Sequence, residues 1–348
     1  MKKYQTTSQK KSSKKDKGNP LFFFKIRNKV SMIFIVLVGL FFFSGCEKEK
    51  YLVVYTSVDE VYSSKIFKEF EKQTGIKIKP VYDVESAKAV GLEKRLLFEK
   101  NHPKADIFWN SEPLRTARLA KQGVFQAYTD YNIAVYRNSN YYDKNGKWYA
   151  LGERYRVIIL YKDSVKKAPE NLNDIWKNDK IAISNPFMGT TATHFAALYH
   201  KLGKKRFIEL LKKIKNSKTV ILAGNSVVKD MVAKGKYEIG IVDSDDASMA
   251  LKQNFPIKII YYNQAKDGVF GIFSTVSIIK NAPHPNLAKQ FMKFILNQKT
   301  EKFLIDEGLF KSSVFKKAYK YKIKSWTLNP NIYVKDLNKS TILLRKFL

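Results

Sequence analysis

Short strand-like patterns alternate with amphipathic helix-like patterns along most of this chain, and that alternation limits the folds open to it. From 51 to 121 the order is strand, helix, strand, helix, strand, helix. The strand patterns at 51–55, 76–82 and 105–109 are rich in Val, Ile and aromatic residues, as in strands that are buried on both faces. The sequence therefore predicts a parallel sheet with helices on its faces.

A second unit of the same kind follows at about 157–262. A long strand pattern at 269–279 then leads into helices that run to about 305, while the basic, aromatic stretch from 311 has no clear pattern. A chain of 348 residues can bury a core large enough for two lobes.

Polar residues follow the strands of both units, at the edge of a parallel sheet where ligands bind. The candidate ligand-binding residues of the first unit are Thr56, Ser57, Asn110, Ser111 and Glu112. Those of the second unit are Gly189, Thr190, Thr191, Thr193, Asn225, Ser226, Asp243 and Asp245. The alternative for each is a purely structural role, such as capping a helix.

The stretch 181–199 carries the strongest of these signals. A buried-strand pattern ends at Asn185–Pro186, and Gly189 with three nearby threonines opens an apolar helix pattern. Unpaired backbone N–H groups and hydroxyls at a helix start suit an anionic or oxygen-rich group.

The N-terminus has the pattern of a targeting segment. Residues 1–29 are basic and polar, and 30–43 is a run of 14 mostly apolar residues, short of the roughly 20 that a membrane span needs. The run ends in Ser44, Gly45 and Cys46, the only cysteine. This resembles a bacterial lipoprotein signal, which predicts an exported protein lipidated at Cys46; a retained anchor helix is the alternative.

The formal charge of +33 falls to about +24 when residues 1–45 are excluded. Only nine of the 64 basic residues are arginine, and the lysines are scattered through every predicted element. Nucleic-acid sites cluster basic residues and use arginine for paired contacts, so we predict no nucleic-acid partner. Attraction to an anionic membrane surface is a secondary expectation.

Enzyme signatures are missing from the sequence. It contains no GxSxG, HExxH or phosphate-loop motif, and no GxGxxG between a strand and a helix. We therefore predict no catalytic residues, no cofactor and no enzymatic activity.

Seven stretches together resemble the extracellular solute-binding proteins of bacterial ABC importers, specifically the ferric-iron group. They are VVYTSVDE, FEKQTGIKIKPVYD, ADIFWNSEP, SNPFMGTTATHFAAL, GNSVVKDMVAKG, IGIVDSDDA and APHPNLAKQFMKFIL, and they cover most of 51–305. The resemblance implies an α/β, two-lobed periplasmic-binding-protein fold of type II, in which crossing strands form a hinge. It also implies a monomer that delivers its ligand to an ABC permease.

The resemblance and the strand order give a domain plan. It comprises a signal peptide (1–45), a lipidated cysteine and tether (46–50), the first part of the first lobe (51–155), the second lobe (156–265), and a return strand with C-terminal helices that pack on the first lobe (266–348).

The ligand stays open at this point. Iron-binding members of the group place adjacent tyrosines where this chain has Asp243 to Asp246, and its tyrosine pairs 141–142 and 261–262 lie elsewhere. Glu112, Asp243 and Asp245 could hold a hard cation such as ferric iron through oxygen alone. A small organic or phosphorylated anion bound without metal is the alternative. A secreted enzyme or a sensor module on the same scaffold is the alternative of another class.

Overall fold

The computed structural model describes residues 50–83, 88–162, 164, 168–316 and 322–348. The predicted signal segment, Cys46 and the tether up to residue 49 lie outside the described residues. Residues Lys50–Leu348 form one compact unit. No helix in the described part of the chain has the length and apolar character needed to cross a membrane.

Three parallel strands, β1 (Tyr51–Thr56), β2 (Lys77–Tyr82) and β3 (Ile107–Asn110), build the sheet of the first lobe in the order β2-β1-β3. The helices between and after them are α1 (Glu60–Thr74), α2 (Val90–Phe98) and α3 (Pro113–Lys121). Helix α1 ends at Gly75, whose φ of 71° only glycine adopts readily. The predicted strand–helix alternation of this region is present in the structure.

The second lobe repeats this plan. Strands β5 (Ile181–Ser184), β6 (Val220–Leu222) and β7 (Ile239–Asp243) are parallel, with β5 in the middle. Helices α4 (Gly189–Asn216), α5 (Asn225–Ala233) and α6 (Ser244–Lys252) follow them, and β8 (Ile257–Ile260) completes the sheet. Helix α4 is kinked at Gly203, where φ is 74°.

Two long antiparallel strands connect the lobes. Strand β4 (Tyr149–Tyr161) pairs with β9 (Val269–Ile278) over its first half and with β7 and β8 over its second half. Strand β9 also pairs with β3. The two lobes therefore share continuous sheet through β4 and β9, which is the predicted hinge of crossing strands.

Separate apolar cores lie under the two sheets. The first-lobe core contains side chains from helices α7 (Pro285–Ile295) and α8 (Gln298–Glu307), among them Phe291 and Leu304, both fully buried. The second-lobe core is built on β4, β5, β7 and α4. Because each lobe has its own core, its half of the cleft is held on a rigid scaffold.

The last part of the chain differs from our expectation. Strand β10 (Ser325–Trp326) pairs with β9, and α9 (Pro330–Tyr333) and α10 (Asp336–Phe347) follow it. We expected all C-terminal helices to pack on the first lobe, and for α10 this is wrong. Leu344 is 1 % exposed within the second-lobe core, because the apolar side of α10 covers α4.

Candidate functional site

A cleft with about 520 Å³ of empty space, part of it open to solvent, lies where the two lobes meet. Residues from both lobes and from crossing strand β4 line it. They are Asp59, Lys88, Ser111, Arg154, Ser184, Asn185, Met188, Gly189, Thr190, Thr191, Ala223, Gly224, Asn225, Ser226, Asp243 and Asp246. Seven of the thirteen residues predicted from the sequence are among them: Ser111, Gly189, Thr190, Thr191, Asn225, Ser226 and Asp243.

Two helices begin at this cleft. Helix α4 starts at Gly189 and α5 at Asn225, and neither has a side-chain hydrogen bond capping its first turn. The N–H groups of Thr190 and Thr191 donate no hydrogen bond to any described residue. The cleft therefore presents two partly positive helix ends, and open donors at the start of α4, an arrangement that suits an oxyanion.

Three carboxylates face these helix ends from the start of α6. Oxygens of Asp243, Asp245 and Asp246 lie within 4.8 Å of one another. Our strand-end prediction included this group, but the structure places Asp245 and Asp246 in the first turn of α6 rather than in a loop. Acidic side chains are favourable there because the helix N-terminus is partly positive.

The three carboxylates differ in how well they are neutralised. Asp243 accepts hydrogen bonds from Arg156 at 2.7 Å, Thr190 at 2.6 Å and Asn225 at 3.0 Å. Burial alone would raise the pKa of Asp243, but the positive charges of Arg156 and Arg154 outweigh it and lower the pKa. Asp243 is therefore a stable anion, held by both arginines.

Asp245 and Asp246 are less well compensated. Asp245 accepts one bond from Arg154 at 2.7 Å, and its Oδ1 has no hydrogen-bond partner among the described residues. Burial raises the pKa of Asp245 to about 6, against the attraction of Arg154. Burial, with repulsion from Asp245 and Asp243, raises the pKa of Asp246 well above its usual range. Within the described chain no hydrogen bond or ion pair to Asp246 is present. The group as a whole favours an added positive charge.

Strand β4 supplies the two arginines. Arg154 and Arg156 are two residues apart, so they lie on the same face of the strand. Arg154 also donates from Nη2 to the carbonyl of Ser111 at 2.8 Å. It therefore connects the first lobe, the hinge and α6 of the second lobe.

The predicted first-lobe residues lie mainly behind the cleft wall. Ser57 donates to Asn110 Oδ1 at 2.6 Å and lies 3.0 Å from the Ser111 hydroxyl. Asn110 Nδ2 donates to the carbonyl of Glu112 at 2.6 Å, and the Thr56 hydroxyl accepts from the N–H of Val58. These side chains satisfy one another and fix the loops, and of these five residues only Ser111 reaches the cleft.

Glu112 is fully buried and joins the lobes instead of lining the cleft. It caps α3 by accepting from the N–H of Leu114 at 2.7 Å, and it accepts from the hydroxyl of Thr193 in α4 at 2.6 Å. Arg115 donates across the same boundary to the carbonyl of Phe187 at 2.9 Å. The Gly189 N–H donates to the carbonyl of Lys88 at 3.1 Å. The lobes are therefore in direct contact, as in a closed receptor.

Sequence reasoning missed Asp59, Lys88 and Arg154 as cleft residues, and it named Asp246 only as part of the acidic run. A signal for Arg154 was present, because two arginines at alternate positions in a mostly apolar strand need anionic partners when the strand is buried. Lys88 follows residues 84–87, which lie outside the described chain, and its ammonium forms an ion pair with Asp59. No sequence pattern indicates that pair.

No tyrosine lines the cleft within the described residues. Tyr141 donates to Glu153 at 2.8 Å near the hinge, and Tyr262 is buried in the second-lobe core. The tyrosine pairs noted in the sequence therefore serve packing and hydrogen bonding away from the cleft.

Comparison with known proteins defines the family. A sequence profile of the bacterial extracellular solute-binding proteins matches residues 65–331. The chain belongs to this family. Its members are binding proteins that act outside the cytoplasm, so this solute-binding protein is exported.

A curated relative of this solute-binding protein is iron uptake protein A1 of Synechocystis sp. It is 23% identical over 309 residues, which cover 79% of this chain and 82% of the relative.

Solved structures of similar fold include the ferric binding protein from Campylobacter jejuni, with a TM-score of 0.76 and 19% identity, covering 85% of this chain and 99% of that one. Another is the periplasmic binding protein AfuA from Actinobacillus pleuropneumoniae with fructose-6-phosphate bound, with a TM-score of 0.74 and 18% identity, covering 86% and 98%. These likenesses confirm the predicted two-lobed fold of type II.

Proposed function

We propose that this protein is the extracytoplasmic receptor of an ABC importer, which captures a small ligand between its lobes and presents it to the permease. The observation that carries the proposal is the composition of the cleft wall, to which both lobes and the hinge strand contribute. A ligand that contacts both lobes stabilises the closed form, and a permease can recognise that form. Family membership supports the same function.

The ligand we favour is ferric iron accompanied by an oxyanion. The carboxylates of Asp243, Asp245 and Asp246 are crowded, Asp246 has no ion pair among the described residues, and hard cations prefer oxygen ligands. The start of α4 offers the open N–H donors of Thr190 and Thr191 beside Asp243, for an anion bound with the metal. Iron uptake protein A1 and the Campylobacter protein are iron proteins by name, which favours the same assignment.

A phosphorylated organic anion without metal is the second candidate. It is favoured by the lack of a tyrosine among the described residues of the cleft wall. The helix ends would hold the phosphate, and the carboxylates would accept hydrogen bonds from hydroxyl groups. AfuA, with its bound sugar phosphate, shows that a protein of similar fold holds such a ligand.

Metal analysis and native mass spectrometry on purified residues 50–348 separate the two ligands. The favoured ligand predicts co-purifying iron, and a large rise in melting temperature with ferric citrate but not with citrate or fructose-6-phosphate alone. Stabilisation by the sugar phosphate in metal-free buffer would instead support the second candidate. If neither ligand binds, both assignments fail.

Variants at the carboxylates sharpen this experiment. Asp246→Asn removes one carboxylate without leaving an arginine unpaired. Changing Asp243 or Asp245 would instead remove the carboxylate partner of Arg156 or Arg154. The matched control is Asp306→Asn, at an exposed carboxylate on α8 that pairs only with Lys302 within the described chain. Iron binding should weaken in the first variant and stay unchanged in the control.

We also propose that the receptor is monomeric, binds its ligand without chemical turnover and is tethered by lipid on Cys46. Recovery of the bound ligand unchanged, at one per chain, would support binding over the enzyme alternative. For the tether, Cys46→Ser should move the full chain from the membrane fraction to the soluble fraction. Retention of that variant in the membrane fraction would indicate an anchor helix instead.

A further inference from the structure

Beyond the kink at Gly203, helix α4 carries a one-sided basic stripe. Its inner side chains, including Phe207 and Leu211, are buried in the second-lobe core, so the outer side is fixed toward solvent. Six exposed cationic side chains of the helix and one just after its end form the stripe: Lys204, Lys205, Arg206, Lys212, Lys213, Lys215 and Lys218. Glu209 is the only acidic residue between 204 and 218.

The charge of this basic stripe is not compensated locally. None of its seven side chains forms an ion pair with any residue that the structure describes, whereas Lys302 on α8 pairs with Asp306 one turn away. The thirteen helical residues 204–216 span roughly 20 Å, and the screening length at physiological salt is about 8 Å. Neighbouring charges of the stripe therefore act together on a surface that approaches it.

The chemistry of the stripe fits a diffuse anionic surface. Six of its seven cations are lysine, whose hydrated point charge on a flexible stem suits many shifting contacts better than paired recognition of one phosphate. After Lys218 the chain enters edge strand β6, where Val220 and Ile221 are 38% and 40% exposed. Apolar side chains beside lysines match the interface between lipid headgroups and acyl chains.

We propose that the basic stripe docks the second lobe onto an anionic lipid bilayer. The cleft lies at the N-terminus of α4, and the stripe begins 15 residues further along, beyond the kink. Membrane docking and ligand binding therefore use separate surfaces of one lobe. Such docking holds the receptor against the membrane independently of any lipid anchor, and it does not depend on which ligand the cleft takes.

Vesicle co-sedimentation of residues 50–348, a unit with its own two cores, tests this proposal. The probes are vesicles of equal parts phosphatidylglycerol and phosphatidylcholine, and vesicles of phosphatidylcholine alone. The stripe variant combines Lys204→Gln, Lys205→Gln, Lys212→Gln, Lys213→Gln and Lys215→Gln. The matched control removes the same charge from exposed first-lobe positions by Lys68→Gln, Lys72→Gln, Lys94→Gln, Lys100→Gln and Lys293→Gln.

The unmodified protein should sediment with the phosphatidylglycerol vesicles only, and less at high salt. The stripe variant should lose at least about tenfold in vesicle affinity, and the control less than about threefold, since each basic group close to an anionic surface contributes separately. Equal losses in both variants, or no sedimentation of the unmodified protein, would overturn the proposal. Binding to heparin without binding to vesicles would also overturn it, in favour of a soluble polyanion.

The melting temperature and the affinity for ferric citrate, measured on the same variants, show whether these variants are folded. All ten substituted side chains are exposed, so both variants should melt within a few degrees of the parent protein. If the stripe variant melts much lower, the single substitutions Lys212→Glu and Lys94→Glu repeat the comparison with less disturbance. The same ranking of vesicle affinities is then required.

Discussion

The two lobes present the same kind of sequence at their strand ends but use it differently. In the first lobe, Ser57, Asn110 and Glu112 satisfy one another or cap a helix, and they lie behind the wall of the cleft. In the second lobe, Thr190, Asn225 and other strand-end residues line the cleft directly. A polar residue after a buried strand thus indicates the edge of the sheet at which the cleft lies. It does not show whether the side chain is structural or binds ligand.

The difference follows from how many partners each group finds. Glu112 has two backbone N–H groups, a threonine hydroxyl and Arg115 around it, so its charge is fully compensated. Asp246 has no such partner in the described chain, and its raised pKa reflects that. Glu112 should therefore matter for stability and Asp246 for binding.

The strongest test of this contrast is Glu112→Ala. It removes the cap of α3 and leaves the buried Arg115 with the 3.5 Å contact to Glu93 as its remaining ion pair among the described residues, beside its hydrogen bond to the carbonyl of Phe187. Breaking a buried ion pair in this way should lower the free energy of unfolding by about 3 kcal/mol. Urea denaturation measures the loss. Glu112→Gln, which keeps the shape and the acceptor oxygen, should lose less. A loss below roughly 0.5 kcal/mol for the Ala variant would contradict the structural role.

Asp245 should contribute to the pH dependence of stability, because burial disfavours its ionised form. Its folded-state pKa is raised to about 6 by burial, so the folded protein binds this proton more tightly than the unfolded chain does. This contribution to stability is fully present below the unfolded pKa, near 4, and is lost as the pH rises through about 6. Two pKa units correspond to roughly 3 kcal/mol.

Chemical denaturation of the ligand-free protein between pH 4 and pH 7 measures this slope. The variant Asp245→Asn cannot titrate at that position and should show a flatter profile. A profile of unchanged steepness in the variant would assign the pH dependence to other groups.

Much of the fold was predictable from the sequence, because the spacing of apolar residues and the residues that end helices and strands are local signals. The strand–helix alternation and the end of α1 at Gly75 are examples. The position of α10 was not predictable, since the apolar side of its twelve residues fits either lobe and only tertiary packing selects α4. Lys88 and Asp59 form an ion pair although they are 29 residues apart in the sequence, and no sequence pattern indicates this pair. The need for anionic partners of the two arginines in β4 was predictable in principle, because buried charges in a strand require partners.

A smaller effect is expected from Asp246→Asn in the second lobe. The substitution relieves repulsion from Asp245 and Asp243, so stability should stay level or rise slightly. If the ligand carries a metal cation, affinity should fall by at least about tenfold, a loss that even indirect changes around metal sites produce. Isothermal titration with ferric citrate checks this prediction. Reduced stability with unchanged affinity would reverse the roles assigned to the two lobes.

The smallest predicted effect lies where the two lobes touch. Thr193→Val keeps the side-chain shape but removes the hydroxyl that donates to Glu112, while the two backbone N–H donors to that carboxylate remain. The lost hydrogen bond acts only when the lobes are together, so it should shift the open–closed balance by about 1 kcal/mol. Ligand affinity should then fall about fivefold with little change in unfolding within the first lobe. Small-angle scattering of the ligand-free variant should show a larger radius of gyration than the parent protein, whereas Thr193→Ser, which keeps the hydroxyl, should behave like the parent. A Val variant with parental affinity and radius would mean that this contact does not help to hold the lobes together.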